Sequence, residues 1–281
     1  MPIRVSNIRL GIDEPEGSLV AVAARRLGLR VADVGRWRIL RKSLDARQHK
    51  EIHFVYSVEV DVPDEAAVVA KVRDREIELF RDEPFTVPPP GERRLEHRPV
   101  VVGSGPAGQF AAWLLAMHGY APIVLERGKK VRERSRDVRE FEAGGELNPE
   151  SNYLFGEGGA GTFSDGKLTC RSGGPDVQEV LRIIAECKGR PSIVYEHRPH
   201  LGSNRLPAVV KAIRQRLIAA GAEFRFDCRA EDLEIADGHV RAVMTSSGRM
   251  PADVVILAAG HSARDVYAML ARRGVAMQPK P

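Results

Sequence analysis

A chain of 281 residues with 43% hydrophobic and 29% charged residues and a formal net charge of +5 has a globular composition, which excludes a disordered or fibrous protein. No apolar run reaches the roughly eighteen residues of a membrane span, and Met1-Pro2-Ile3-Arg4 leads into an alternating stretch instead of the apolar core of a secretory leader, so a cytoplasmic protein is expected. Three scattered cysteines, Cys170, Cys187 and Cys228, contain no CxxC or CxxxxC pair, which excludes a disulfide framework, a zinc site and the cysteine pair of a disulfide reductase.

Residues 1–90 read as a small α+β domain. A strand is expected near Ile3 to Leu10 and a helix from about Ser18 to Leu27, ended by Gly28. A strand follows in which Ile52, Phe54, Tyr56, Val58 and Val60 alternate with His53, Ser57 and Glu59, so one face is buried and the other wet. Another short helix is expected after Pro63-Asp64. Between Arg25 and Lys50, nine arginines or lysines stand against Asp33 and Asp45. A solvated helix and loop is one reading of that run, and a nucleic-acid-binding patch of Arg36, Trp37, Arg38 and Arg41 is the other. The proline-rich stretch that begins at Pro84 predicts an extended linker over 84–97, placing a second domain over 98–281.

That second domain opens with Val100-Val101-Val102-Gly103-Ser104-Gly105-Pro106-Ala107-Gly108. A buried strand enters a turn that Gly103 alone can make, Gly105 removes the side chain that would block a pyrophosphate, and Gly108 with Ala112 lets the next helix lie close on the sheet. The phosphates would then meet the free N–H groups and positive end of that helix. Phe110, Trp113, Leu114 and Met117 continue it to Gly119, and a strand from Ala121 to Leu125 delivers Glu126, whose carboxylate suits the two hydroxyls of a ribose and repels a 2′-phosphate.

Five glycines fall in the eleven residues from Gly156 to Gly166. Gly158, Gly159 and Gly161, with Lys167 beyond them, read as a second phosphate or flavin cradle, or as a packed loop with left-handed turns. A helix from Leu206 ends at Gly221 and feeds a strand to Cys228; the turns Asp237-Gly238 and Ser246-Ser247-Gly248 then predict a β-meander. A buried strand from Val254 to Gly260 turns at His261-Ser262, read as the cap of a last helix. Further candidates for chemistry are Ser164 and Lys167 beside a reduced ring, His200 as a proton donor and Arg205 near a pyrophosphate, with Glu157 the weakest.

This order, with Glu126-Arg127-Gly128, the run from Phe155 to Lys167 and Gly260-His-Ser-Ala-Arg-Asp265, resembles the FAD domain of the glutathione-reductase-like flavoproteins, and within them the FAD-dependent dehydrogenases of unassigned substrate. The resemblance implies an α/β chain: a Rossmann-like FAD-binding domain, with a parallel sheet and a β-meander, behind the small α+β domain. It implies FAD as cofactor, with NADH or NADPH as a transient reductant. It assigns the pyrophosphate to the turn from Gly103 to Gly108, the ribose to Glu126 with Arg127 beside it, the flavin side to Gly158–Gly161 and Lys167, the adenine to the backbone near Ala230, and Gly260 to the end of the last strand. The implied function is flavin-mediated hydride or electron transfer, with a flavin-containing RNA-modifying protein or an inactive nucleotide-binding fragment as alternatives. Relatives close the site with a late strand ending in Gly-Asp behind an inserted substrate domain. Neither follows here, so the expectation is a domain cut short at its C-terminus that holds FAD less tightly.

Overall fold

The structure, a computed structural model, describes residues 1–47, 51–170, 172–202 and 204–279. In chain order its elements are β1 (Ile3–Gly11), α1 (Leu19–Leu27), β2 (Trp37–Asp45), β3 (His53–Val60), α2 (Glu65–Val72), β4 (Ile77–Leu79), β5 (Val100–Val102), α3 (Pro106–Met117), β6 (Ile123–Leu125), α4 (Val131–Glu142), α5 (Pro175–Glu186), α6 (Leu206–Ala219), β7 (Glu223–Arg225), β8 (Ala230–Ala236), β9 (His239–Thr245), β10 (Gly248–Pro251), β11 (Val255–Leu257) and α7 (Arg264–Arg272). They fall into two compact units, one of Met1–Thr86, Lys167–Ala185 and Arg190–His200, the other of Val87–Gly166, Glu186–Gly189 and Leu201–Pro281. Among the described residues no helix is long and apolar enough to cross a membrane.

The first unit is a β-α-β-β-α-β arrangement whose antiparallel sheet runs β2-β3-β1-β4. In β1 the buried residues change parity, from Ile3 and Val5 to Ile8 and Leu10, because a bulge with Asn7 at φ 56° slips the register by one residue. All four therefore share one face with Tyr56, Val58 and Val60 of β3 and meet Leu19, Ala23 and Leu27 of α1. The basic run is divided: Arg25 and Arg26 lie in α1 and Arg30, Arg36 and Arg47 in connecting segments, as expected, but Arg38, Arg41 and Lys42 lie on β2. Arg38 is paired with Glu59 of β3 and with Asp82. Arg26, Arg30, Lys42 and Arg47 also sit in ion pairs, with Asp74 and Glu76, Asp33, Glu16 and Asp45. Carboxylates thus pair with Arg26, Arg30, Arg38, Lys42 and Arg47 of the run. Of the patch of Arg36, Trp37, Arg38 and Arg41, only Arg38 is paired with carboxylates among the described residues, and Arg41 Nη2 lies 3.1 Å from His197 Nδ1; Lys50 lies outside the described residues.

A contiguous division into 1–90 and 98–281 misses the return of the chain to this unit. The backbone at 195–197 pairs with the edge of β2: Lys42 N donates to Tyr195 O at 2.7 Å and His197 N to Lys42 O at 2.8 Å. Tyr195 Oη donates to Glu16 Oε2 at 3.0 Å, while Glu16 Oε1 accepts from Lys42 Nζ at 2.6 Å and from Tyr56 Oη at 3.2 Å. Burial and the Glu16 carboxylate together push the Tyr195 hydroxyl up to about 12, so it stays a neutral donor to that carboxylate at every physiological pH.

The second unit carries a parallel sheet of order β11-β5-β6-β7 and an antiparallel meander β10-β9-β8. Val100, Val102, Ile123 and Leu125 of the sheet share one core with Leu233, Val243 and Met250 of the meander and Val266 and Met269 of α7. Helix α3 turns a different face inward from the one its large apolar residues suggested. Gly108, Ala112 and Ala116 are buried, whereas Leu114 and Met117 are exposed, Met117 by 55%. Small residues let the helix approach the strands, and bulk at those positions would hold it off.

Between the two units' first elements, 84–97 contains no helix or strand, and Arg93 and Arg94 are exposed. Brief trypsin treatment is expected to cut first after Arg93 or Arg94. A first cut within 156–166 would contradict that.

Candidate functional site

A cavity of about 310 Å³ lies at the carboxyl ends of β5, β6 and β11 in the second unit, where open α/β sheets bind ligands. Gly103, Gly105, Pro106 and Ala107 form one wall, Glu126 and Arg127 another, and Gly159, Gly161, Ala230 and Gly260 complete it with Cys228, Arg229, His261 and Ser262. Three expected site residues are elsewhere. Gly108 and Gly158 do not line the cavity, and Lys167 lies in the first unit, bridged to His200. Ser164, Arg205 and Glu157 are not on its walls either. Ser262 lines it but does not cap α7 through its side chain: Ala263 is the capping residue, with no side-chain bond.

The motif glycines differ in what requires them. Gly103 has φ 102°, and a Cβ there would collide with the carbonyl of Ala258. At Gly108 a Cβ would run into the Gly103 carbonyl, and at Gly158, with φ 84°, into the Thr162 hydroxyl. The fold itself demands those three. Gly105 is different, with φ −68° and ψ −179°, backbone that any residue adopts. The nearest atom to a Cβ there would be Gly159 Cα, at an ordinary 3.7 Å. It also holds the N-cap position of α3, where glycine is accepted beside serine, asparagine and aspartate. Among the described residues no steric contact at the Cβ position requires the side chain to be missing.

Glu126 is 5% exposed, and its carboxylate is surrounded by internal donors. Oε2 accepts from Ser104 N at 2.9 Å and Ser104 Oγ at 2.6 Å; Oε1 accepts from Gly128 N and Gly156 N, each at 3.0 Å. The side chain therefore ties the turn after β5 to the loop after β6 and to the glycine-rich loop. Beside it Arg127 stacks on Phe155, 4.2 Å from the ring centre, and is paired with Glu150 at 2.6 Å and Asp265 at 3.1 Å. Burial lowers the Arg127 pKa, but these two carboxylates more than offset it and the net shift is upward. Glu150 also accepts from Arg229 at 2.7 Å.

Two charged residues hold the glycine-rich loop: Arg134, which the sequence did not single out, and Glu157, its weakest candidate for chemistry. Arg134 of α4, fully buried, donates to the carbonyls of Asn152, Tyr153, Gly156, Glu157 and Gly159 at 2.8–3.2 Å and to Thr162 Oγ1 at 3.2 Å. Desolvation lowers it to about 10, against the pull of Glu126 and Glu157, so it remains charged at neutral pH. Glu157, also fully buried, accepts from Val131 N at 2.7 Å and from Arg214 Nε of α6 at 2.6 Å. The signal for Arg134 was its position between Val131 and Val138, three and four residues away on the buried face of α4.

A parallel sheet, a glycine turn into a helix and an acid ending the second strand define a Rossmann-like dinucleotide-binding fold. Known families agree: residues 101–158 match the model for NAD(P)-binding Rossmann-like domains and residues 199–281 that for FAD dependent oxidoreductases. Residues 2–61 match a domain of unknown function. The resemblance to FAD-dependent oxidoreductases, and FAD as the cofactor that goes with it, are borne out by these matches. A curated uncharacterized protein of Clostridium beijerinckii is 38% identical over 280 residues, all of this chain and 52% of that protein. The chain thus spans about half the length of that relative. Distant structural likenesses include glycine oxidase from Bacillus cereus (13% identity, 64% of this chain, 59% of that one, TM-score 0.41) and L-proline dehydrogenase from P. horikoshii (15%, 64%, 56%, TM-score 0.36).

Proposed function

We propose that the cavity of the second unit seats the adenosine and pyrophosphate of FAD, and that the chain supplies the cofactor-binding part of a cytoplasmic FAD-dependent oxidoreductase. Gly105 carries the reading. Its backbone is ordinary and a Cβ would fit against the protein, so the empty space there serves whatever lies in the cavity, and a pyrophosphate crossing the mouth of α3 is the group that needs it. Ala107 N and Gly108 N, in the first turn of α3, lack helical acceptors and would face that phosphate. A volume of about 310 Å³ is at the low end of the roughly 300–1,000 Å³ of small-molecule sites, which suits the adenosine half. Arg127, held by Glu150 and Asp265, and the backbone at Ala230 would border the adenine. Gly159 and Gly161 would face the phosphates from the opposite side. When bound, FAD supplies the hydride- or electron-transfer chemistry, and the chain holds and orients it.

The purified chain is expected to carry a yellow ligand that heat releases as FAD. Recovery of NADP, or of FMN alone, would overturn this reading.

A further inference from the structure

An ionised carboxylate offers about four lone-pair positions, and all four on Glu126 are taken within the protein. A ribose diol arriving in the cavity needs acceptors, so at least one internal donor has to leave. Three of the four are backbone N–H groups, of Ser104, Gly128 and Gly156, fixed by the turns that carry them. The fourth is the Ser104 hydroxyl at 2.6 Å from Oε2, which can rotate away without moving the backbone. Gly103 and Gly105 on either side of Ser104 both line the cavity, as does Glu126.

We infer that the Ser104 hydroxyl is a placeholder for a ribose hydroxyl: it occupies one acceptor position of Glu126 in the free protein and yields it when an adenosine diphosphate group binds. This rests on the nucleotide reading of the cavity but not on the identity of the whole cofactor. The Ser104 hydroxyl fills the second acceptor position of Glu126 Oε2, beside the Ser104 N–H, and a buried acceptor that loses one of its donors loses part of its stabilisation. The same bond opposes binding, because part of what the ribose gains on Glu126 is lost from Ser104. Ser104 is thus a specificity-determining residue whose effect depends on the ligand's hydroxyls.

The test is calorimetric titration of the full chain, freed of flavin, with ADP and with 2′,3′-dideoxy-ADP, for the natural protein and Ser104→Ala. Removing the competing hydroxyl should tighten ADP about tenfold, equivalent to about 1.4 kcal/mol. Dideoxy-ADP, which has no hydroxyl to place on Glu126, should bind both proteins equally. The melting temperature of Ser104→Ala should fall in the free state and return toward that of the natural protein with saturating ADP. Unchanged or weaker ADP binding in Ser104→Ala, or an equal gain for both ligands, would overturn the inference, as would no binding of ADP to either protein. FAD titrated in parallel separates the two claims: FAD binding with no Ser104 effect on ADP leaves the cofactor reading standing and removes only the placeholder.

Discussion

Replacing Arg134 by methionine should cost about 3–5 kcal/mol, the range for breaking a buried charged network, and lower the melting temperature by roughly 10 °C for a unit of this size. Two effects oppose each other. Removing a buried guanidinium relieves its desolvation, which is large enough to pull its pKa to about 10. Against that, five backbone carbonyls lose a donor. Those of Gly156, Glu157 and Gly159 keep Gly159 N, Thr162 Oγ1 and Thr162 N, whereas Asn152 and Tyr153 lose the guanidinium that holds them, and a buried acceptor left alone costs about 1–3 kcal/mol. The second effect wins because methionine fills the space but donates nothing. Arg134→Lys should recover little, since an ammonium presents one point of charge where the loop is built around a planar fork of donors. Urea unfolding of the three proteins, with flavin content measured on each, checks this. An Arg134→Met protein within 1 kcal/mol of the natural one would show that water replaces the guanidinium.

The second large effect separates the motif's glycines. Gly105→Val should still fold, at a cost of about 1 kcal/mol for an apolar residue at the N-cap of α3, because a Cβ at 105 meets nothing closer than 3.7 Å, yet reduce bound FAD by more than tenfold, a loss of at least ~1.4 kcal/mol. Gly108→Val should fail to fold, because its Cβ would penetrate the Gly103 carbonyl. Circular dichroism melts read the first property and flavin absorbance the second. Full flavin content in a folded Gly105→Val protein would reduce the motif to packing.

Much of the second unit was legible because its signals are local. A strand, a turn that needs Gly103 at positive φ, a helix and a terminal acid lie in one short stretch, and the type I′-like turn at Asp237 and Gly238, both with positive φ, marks the β8–β9 hairpin just as locally. What escaped depended on distance or on residues acting against type. Strand β2 carries Arg38, Arg41 and Lys42, and the carboxylates paired with Arg38 and Lys42 lie on β3 or further away, so it read as exposed charge. The 195–197 segment joins the first unit through pairing with Lys42 and the Tyr195 bond to Glu16, both more than 150 residues earlier. Arg134 escaped, and Glu157 was read as a weak candidate for chemistry instead of a tie for the loop, because both are charged residues in fully buried positions, where composition expects neither. The acid Glu126 was found, but not its internal partners, because three of the four donors are backbone groups brought in by the turns at 104, 128 and 156.

The most direct test of the cofactor site is displacement of FAD from the full chain by the two halves of the molecule. ADP should release bound FAD in a competition titration, because it carries the adenosine, both phosphates and the ribose hydroxyls that the proposed reading places in the cavity, while FMN at the same concentration should release little. Release by FMN with no effect of ADP would contradict the account, since the cavity bounded by Gly105, Glu126 and Ala230 would then not be where the adenosine half is held.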